Sequence, residues 1–248
     1  MKGNGETLIC DPIVREKRRY DKRQRLIRWT RANIWSTADI LQEVVNLGSR
    51  QAIHTTLKAL ARDGLIRTAQ ISRDYGSSVH IWGITPHGAA MAAADDELIQ
   101  CRTFEPSKIN PAMMAHALDL QRLQLRAERI GWIWQQAIGE YSRSEAKYPD
   151  ALAVRPDGQK VAIEVERNVK STKRYSEILV AHVAARRQGN WEWIYYLAPD
   201  DRIRNRVERA FKEIKRATWR GQVVEIGIRH LDPFRFYAYV DDWLKIQC

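Results

Sequence analysis

The chain has 248 residues, with 41 lysines and arginines against 30 acids and a formal net charge of +11. That length suits one large or two small domains, and that charge asks for an anionic partner, nucleic acid before a membrane surface. No apolar run approaches the roughly 20 residues that span a bilayer, and no apolar stretch behind a basic start reads as a secretory leader. Cys10, Cys101 and Cys248 are far apart and odd in number, without a C-x-x-C pair. They argue against a disulfide framework and a thiolate zinc site, and for a reducing cytoplasm.

In chain order, residues 1–14 show no periodicity, and 1–19 are expected to be a flexible basic N-terminus. From Arg15 the text REKRRYDKRQRLIRWTR is either a helix whose basic face follows phosphates or an ordinary solvated face. Ser36 to Asp39 suggests an N-cap opening a helix with Ile40, Leu41, Val44 and Val45 as its apolar stripe. Leu47-Gly48 closes it. Ser49 then caps a second helix over 50–63, with Ala52, Ile53, Leu57 and Leu60 at helical spacing. Its polar face carries Arg50, Gln51, His54, Thr55 and Lys58. Two short helices across a tight turn fit a helix-turn-helix. Strand-like runs at 65–70 and 79–84 around a polar loop add a wing, with Arg73 placed to reach phosphate or a minor groove. An αα-hairpin used for protein contacts is the competing reading. A winged-helix domain over 20–103 is therefore expected, followed by a linker around Pro106 and Pro111.

The second domain is expected over 111–248. A long helix over 112–130 is followed by a strand near Trp132, a hairpin, a helix over 171–188, an apolar strand over 191–198, a basic helix over 201–219, a strand over 222–229 and a last β-like run over 234–240. This order reads as mixed α/β (α+β) with a small central sheet. The hairpin is the informative part: runs at 151–155 and 160–167 joined at Pro156-Asp157-Gly158, a strong turn signal. Glu164 and Glu166 are two apart on a strand, so they share a face with Ala162, while Ile163 and Val165 point the other way. Pairing brings Asp150 close to them. Three carboxylates on one spot repel unless a cation or solvent intervenes, and a divalent ion with oxygen ligands resolves that.

Asp150 after Pro149, then Glu164-Val165-Glu166, resembles the PD-(D/E)xK nucleases, the restriction-endonuclease fold. Glu166 stands where that superfamily has a lysine, and Lys170 is the nearest substitute. A first-helix acid often completes such sites, and Glu128 is the best placed. With the upstream W-x-I-T-x-x-G (Trp82 to Gly88), and with His116 and Asp119 on the long helix, the chain is similar to the replication-relaxation family and, within it, to MobC-type plasmid relaxases. The resemblance covers about residues 20 to 220. It implies recognition of a plasmid transfer origin in double-stranded DNA, with single-stranded DNA, relaxosome accessory and coupling proteins and a homodimer as further partners, and strand-specific nicking with Mg²⁺ or Mn²⁺. Carried over, the site is Asp150, Glu164, Glu166 and Lys170.

Chemically, Asp150 and Glu164 would hold the metal, Glu166 would add a ligand or accept the proton of water, and Lys170 would face the phosphate. The bland alternative is an exposed hairpin with ordinary surface acids. The six histidines, His182 among them, are scattered without H-x-H, which argues against a histidine-cluster relaxase and a zinc site. Tyr148 reads as a packing residue. From another class, the chain is a DNA-binding regulator or replication accessory protein with a degenerate nuclease domain; a restriction enzyme cutting both strands is a third reading.

Overall fold

The computed structural model describes residues 11–72, 78–93, 102–136, 149–239 and 244. The chain divides into two compact units, Met1–Leu118 and Asp119–Cys248. The division falls inside a helix, whereas the sequence suggests the preceding Pro-containing linker.

The first unit runs α1 (Pro12–Asn33), β1 (Trp35–Thr37), α2 (Ala38–Val44), α3 (Arg50–Arg62), β2 (Ile66–Ser72), β3 (Ser78–Ile84) and α4 (Pro86–Ala92). Its three strands form an antiparallel sheet in the order β1-β3-β2. This is a winged helix, with α2 and α3 as the helix pair and β2-β3 as the wing. Two boundaries differ from the sequence reading. The expected flexible N-terminus is helical from Pro12, because Asp11 accepts a hydrogen bond from the Ile13 N–H at 2.8 Å and Pro12 fills the first turn, where its missing N–H costs nothing. Within the stretch expected to cap α2, Thr37 takes the N-cap position, but Ser36 and Thr37 also form β1, a strand the sequence reading lacks.

The W-x-I-T-x-x-G text has a physical basis here. Thr85 caps α4, accepting from the Gly88 N–H at 3.0 Å while its hydroxyl donates to the Gly64 carbonyl at 2.6 Å. A Cβ at Gly88 would sit 1.9 Å from the Leu65 carbonyl oxygen, so only glycine allows this approach. Trp82 and Ile84 are buried beside it in the sequence.

The second unit takes in the later part of α5 (Pro111–Arg129), then β4 (Ile133–Gln136), β5 (Ala151–Val154), β6 (Lys160–Val165), α6 (Thr172–Arg187), β7 (Trp193–Ala198), α7 (Asp201–Lys212), β8 (Arg216–Trp219), β9 (Gln222–Glu225), α8 (Ile228–Leu231) and β10 (Phe234–Ala238). A mixed five-stranded sheet has the order β10-β7-β6-β5-β4. The β4-β5-β6 part is an antiparallel meander, and β6, β7 and β10 run parallel. Apolar side chains cover both faces. Ala162, Ile194 and Tyr196 meet Ile178 and Leu179 of α6 and Val207 and Phe211 of α7. Val161, Ile163, Val165, Tyr195 and Leu197 face Leu123 and Ala127 of α5. A winged helix followed by a mixed-sheet domain is the α/β architecture the sequence leads one to expect.

The basic helix expected over 201–219 stops at Lys212, and the strand expected over 222–229 stops at Glu225. That shortened strand, β9, pairs with β8, which occupies part of the expected helix, in a two-stranded ribbon. Its two-residue turn places Arg220 at φ 48° and Gly221 at φ 81°, the positive pair that matches the strand twist of a tight hairpin. The Arg-Gly pair hid this turn; Asn or Asp before Gly is the usual signal. Among the described residues, no helix is long and apolar enough to cross a membrane.

Candidate functional site

Two polar surfaces stand out, one in each unit. In the first, Ser49 caps α3, accepting from the Ala52 N–H at 3.4 Å. Ile53, Leu57 and Leu60 bury one stripe of the helix. The 3.6-residue period then leaves Arg50, Gln51, Thr55 and Lys58 exposed on the opposite face, with His54 half-buried at its margin. The Thr55 hydroxyl donates back to the Gln51 carbonyl at 3.0 Å, so it offers a partner only its acceptor side. Arg73 lies outside the described residues.

The second surface is built by the register of β5 and β6. Ala151 lies opposite Ile163, which sets Asp150 across from Glu164. The Asp150 carboxylate accepts from the Val165 N–H at 2.7 Å and ties the end of β5 to β6. Glu164 and Glu166 lie on the face covered by α6, and they are 5 % and 4 % exposed. They are not surface acids, which removes the exposed-hairpin reading.

Each buried acid has a protein partner. Glu164 Oε1 is 3.0 Å from His182 Nε2 of α6. Lys170 reaches Glu166 from the connection between β6 and α6. The Lys170 backbone N–H donates to the Tyr175 hydroxyl at 3.1 Å, and its ammonium lies 5.9 Å from the centre of that ring. Burial raises the Glu166 carboxyl above the usual carboxylate range, with Lys170 and Tyr175 opposing and the Glu164 charge adding to it. Burial also pushes the Tyr175 and Tyr196 hydroxyls upward, and the carboxylates of Glu164 and Glu166 reinforce the effect at Tyr196. Both phenols are therefore neutral at ordinary pH. The Tyr196 hydroxyl and the free ring nitrogen of His182, Nδ1, have no hydrogen-bond partner among the described residues.

The expected quartet is thus gathered at one end of β5 and β6. His182 joins it unforeseen. Its signal was its place on the stripe Tyr175, Ile178, Leu179, His182 and Ala185, a histidine on a face that turns toward the sheet. Glu128 does not join. It is exposed on α5, accepts from Gln124 at 2.7 Å, and α5 covers the opposite face of the sheet from Glu164 and Glu166. Asp119 is engaged by Arg167 and, at 3.1 Å, by the Tyr239 hydroxyl. Tyr148 lies outside the described residues.

The all-oxygen set of Asp150, Glu164 and Glu166 has the chemistry Mg²⁺ or Mn²⁺ prefers, but its placement does not suit an ion. Glu164 turns to His182 and Glu166 to Lys170, and among the described residues no three His, Cys, Asp or Glu side chains converge to hold a metal. No family model, no curated protein and no solved structure matches the chain.

Proposed function

We propose that this protein binds double-stranded DNA through α3 and cuts one strand with its second unit, as a relaxase acting at a plasmid transfer origin. The observation that carries the reading is the meeting of Asp150, Glu164, Glu166 and Lys170 on one sheet face. The exposed Arg50, Gln51 and Lys58 of a winged helix supply the DNA-reading part. The work is placed in the cytoplasm, with accessory and coupling proteins as partners.

Hydrolysis of a phosphodiester forms a phosphorus–oxygen bond from water and breaks the bond to the leaving sugar oxygen, which takes a proton from solvent. Glu166, whose proton affinity burial raises, takes the proton of the water; Lys170 sets positive charge against the phosphate. Asp150 and Glu164 fix the frame in which those two stand.

One observation favours a second reading. All three acids already bond to groups of the chain, Val165 N–H, His182 and Lys170. Such internal ties suit a DNA-binding regulator or replication accessory protein that keeps the nuclease-like unit without the reaction. Incubating the full chain with supercoiled plasmid carrying its replicon's own transfer origin, with Mg²⁺, with Mn²⁺ and with neither, separates the two. Nicked circles support the relaxase, and linear product supports a double-strand cutter instead. DNA retained without cleavage under all three conditions leaves the regulator.

A further inference from the structure

The second unit has a groove that neither the acid site nor the winged helix uses. It lies between the first turn of α6 and the β8-β9 ribbon, and encloses about 640 Å³. Lys173, Lys215 and Arg216 supply positive charge along it, and Thr172, Ser176 and Thr218 supply hydroxyls. Two acids also line it, but both have local partners: Glu177 pairs with Arg174 at 2.8 Å, and Glu213 lies 3.9 Å from Arg209. Lys173 and Arg216 make no ion pair among the described residues, and both are exposed. The groove also includes the start of α6, where Ser171 accepts from the Arg174 N–H at 3.3 Å and the other first-turn amides have no partner within the helix.

We propose that this groove holds the sugar–phosphate backbone of double-stranded DNA, as a second contact independent of α3. Its chemistry is that of a backbone reader: cations, hydroxyls and helix amides are the groups that bind phosphate oxygens. Among the described residues, no aromatic side chain lines it. A groove for single strands relies on aromatic platforms for unstacked bases, so the missing platform favours a duplex whose bases stay paired. The ribbon's own aromatic residue, Trp219, lines a separate apolar pocket beside Leu179 and Val183. Placement supports the assignment too. Thr172 and Lys173 follow Lys170 by two and three residues, so the α6 end of the groove is close in the chain to the acid site. In that sense the inference rests on the proposed strand-cutting role and adds the surface that would hold the duplex against it.

The test measures binding alone. The full chain and its Lys173→Ala/Arg216→Ala double variant are titrated with a duplex and with a single strand of equal length, over a series of salt concentrations without divalent metal. Loss of two phosphate contacts should lower the slope of log affinity against log salt by about 1.8 for the duplex, and lower affinity about tenfold or more at low salt. An unchanged slope and duplex affinity, with an unchanged circular dichroism spectrum and melting temperature, would overturn the proposal. So would a loss confined to the single strand. A reduced duplex slope in a protein that nicks nothing upholds the groove while the strand-cutting reading fails.

Discussion

The two units use polar side chains in opposite ways. On α3 of the winged helix, Arg50, Gln51, Thr55 and Lys58 stand exposed on a scaffold whose Ile53, Leu57 and Leu60 are fully buried. In the mixed-sheet unit, Glu164, Glu166 and His182 are themselves nearly inaccessible and bonded inward. An exposed polar row costs little to keep and can be satisfied by any complementary surface. A buried carboxylate is costly unless paired, so two of them side by side mark a place where function or a specific network has overridden stability. The contrast separates an exposed polar row from a site where proton affinities are set by the fold.

The largest expected effect breaks the comparison on the buried side. Replacing Asp150 by alanine removes the tie to Val165 and should cut nicking on the order of 10²-fold or more through misplacement of Glu166 and Lys170, while affinity for the origin stays within twofold. Plasmid-nicking rates and a binding isotherm on the same preparation check this. Equal nicking by the variant would show that the quartet is structural only.

On the exposed side, Arg50→Ala should weaken origin binding by about 1–3 kcal/mol if the side chain reads a base edge. The melting temperature should not move, because Arg50 is exposed. Competition between cognate and scrambled duplexes gives the answer. An equal loss on both duplexes would make Arg50 a phosphate contact.

The smallest effect sharpens the contrast through pH. Burial is the leading cause that raises the Glu166 carboxyl above its unfolded value. Well below the usual carboxylate range the group is protonated in both states, and the shift has no effect. As pH rises the unfolded chain ionises first, so stability falls until the pH passes the raised folded value and is constant beyond it. Glu166→Gln lacks this titration. Its melting temperature relative to the native chain should therefore climb as pH rises through the usual carboxylate range and level off above it. A difference that is flat or shrinks with pH would mean that Lys170 outweighs burial.

Much of this was legible in the residues. Ser49 before a 3.6-period stripe placed α3, and the Pro-Asp-Gly turn with its flanking alternation placed β5 and β6, hence the shared face of Glu164 and Glu166. The β8-β9 ribbon was not legible, because Arg216 to Trp219 continues the charge pattern of α7 and only the positive φ angles at Arg220 and Gly221 reverse the chain. Glu128 was misplaced for a different reason. The sequence gives its helix but not which face of the sheet that helix covers.

Local periodicity and turn chemistry thus determined the elements and the alternation of faces, since both depend on neighbours a few residues apart. Only the tertiary structure decided that the acids are buried rather than exposed. It brought His182 to Glu164 across 18 positions of sequence and Lys170 back onto Glu166. Those choices depend on how α6 returns over the parallel pair β6 and β7, and no local pattern contains that packing.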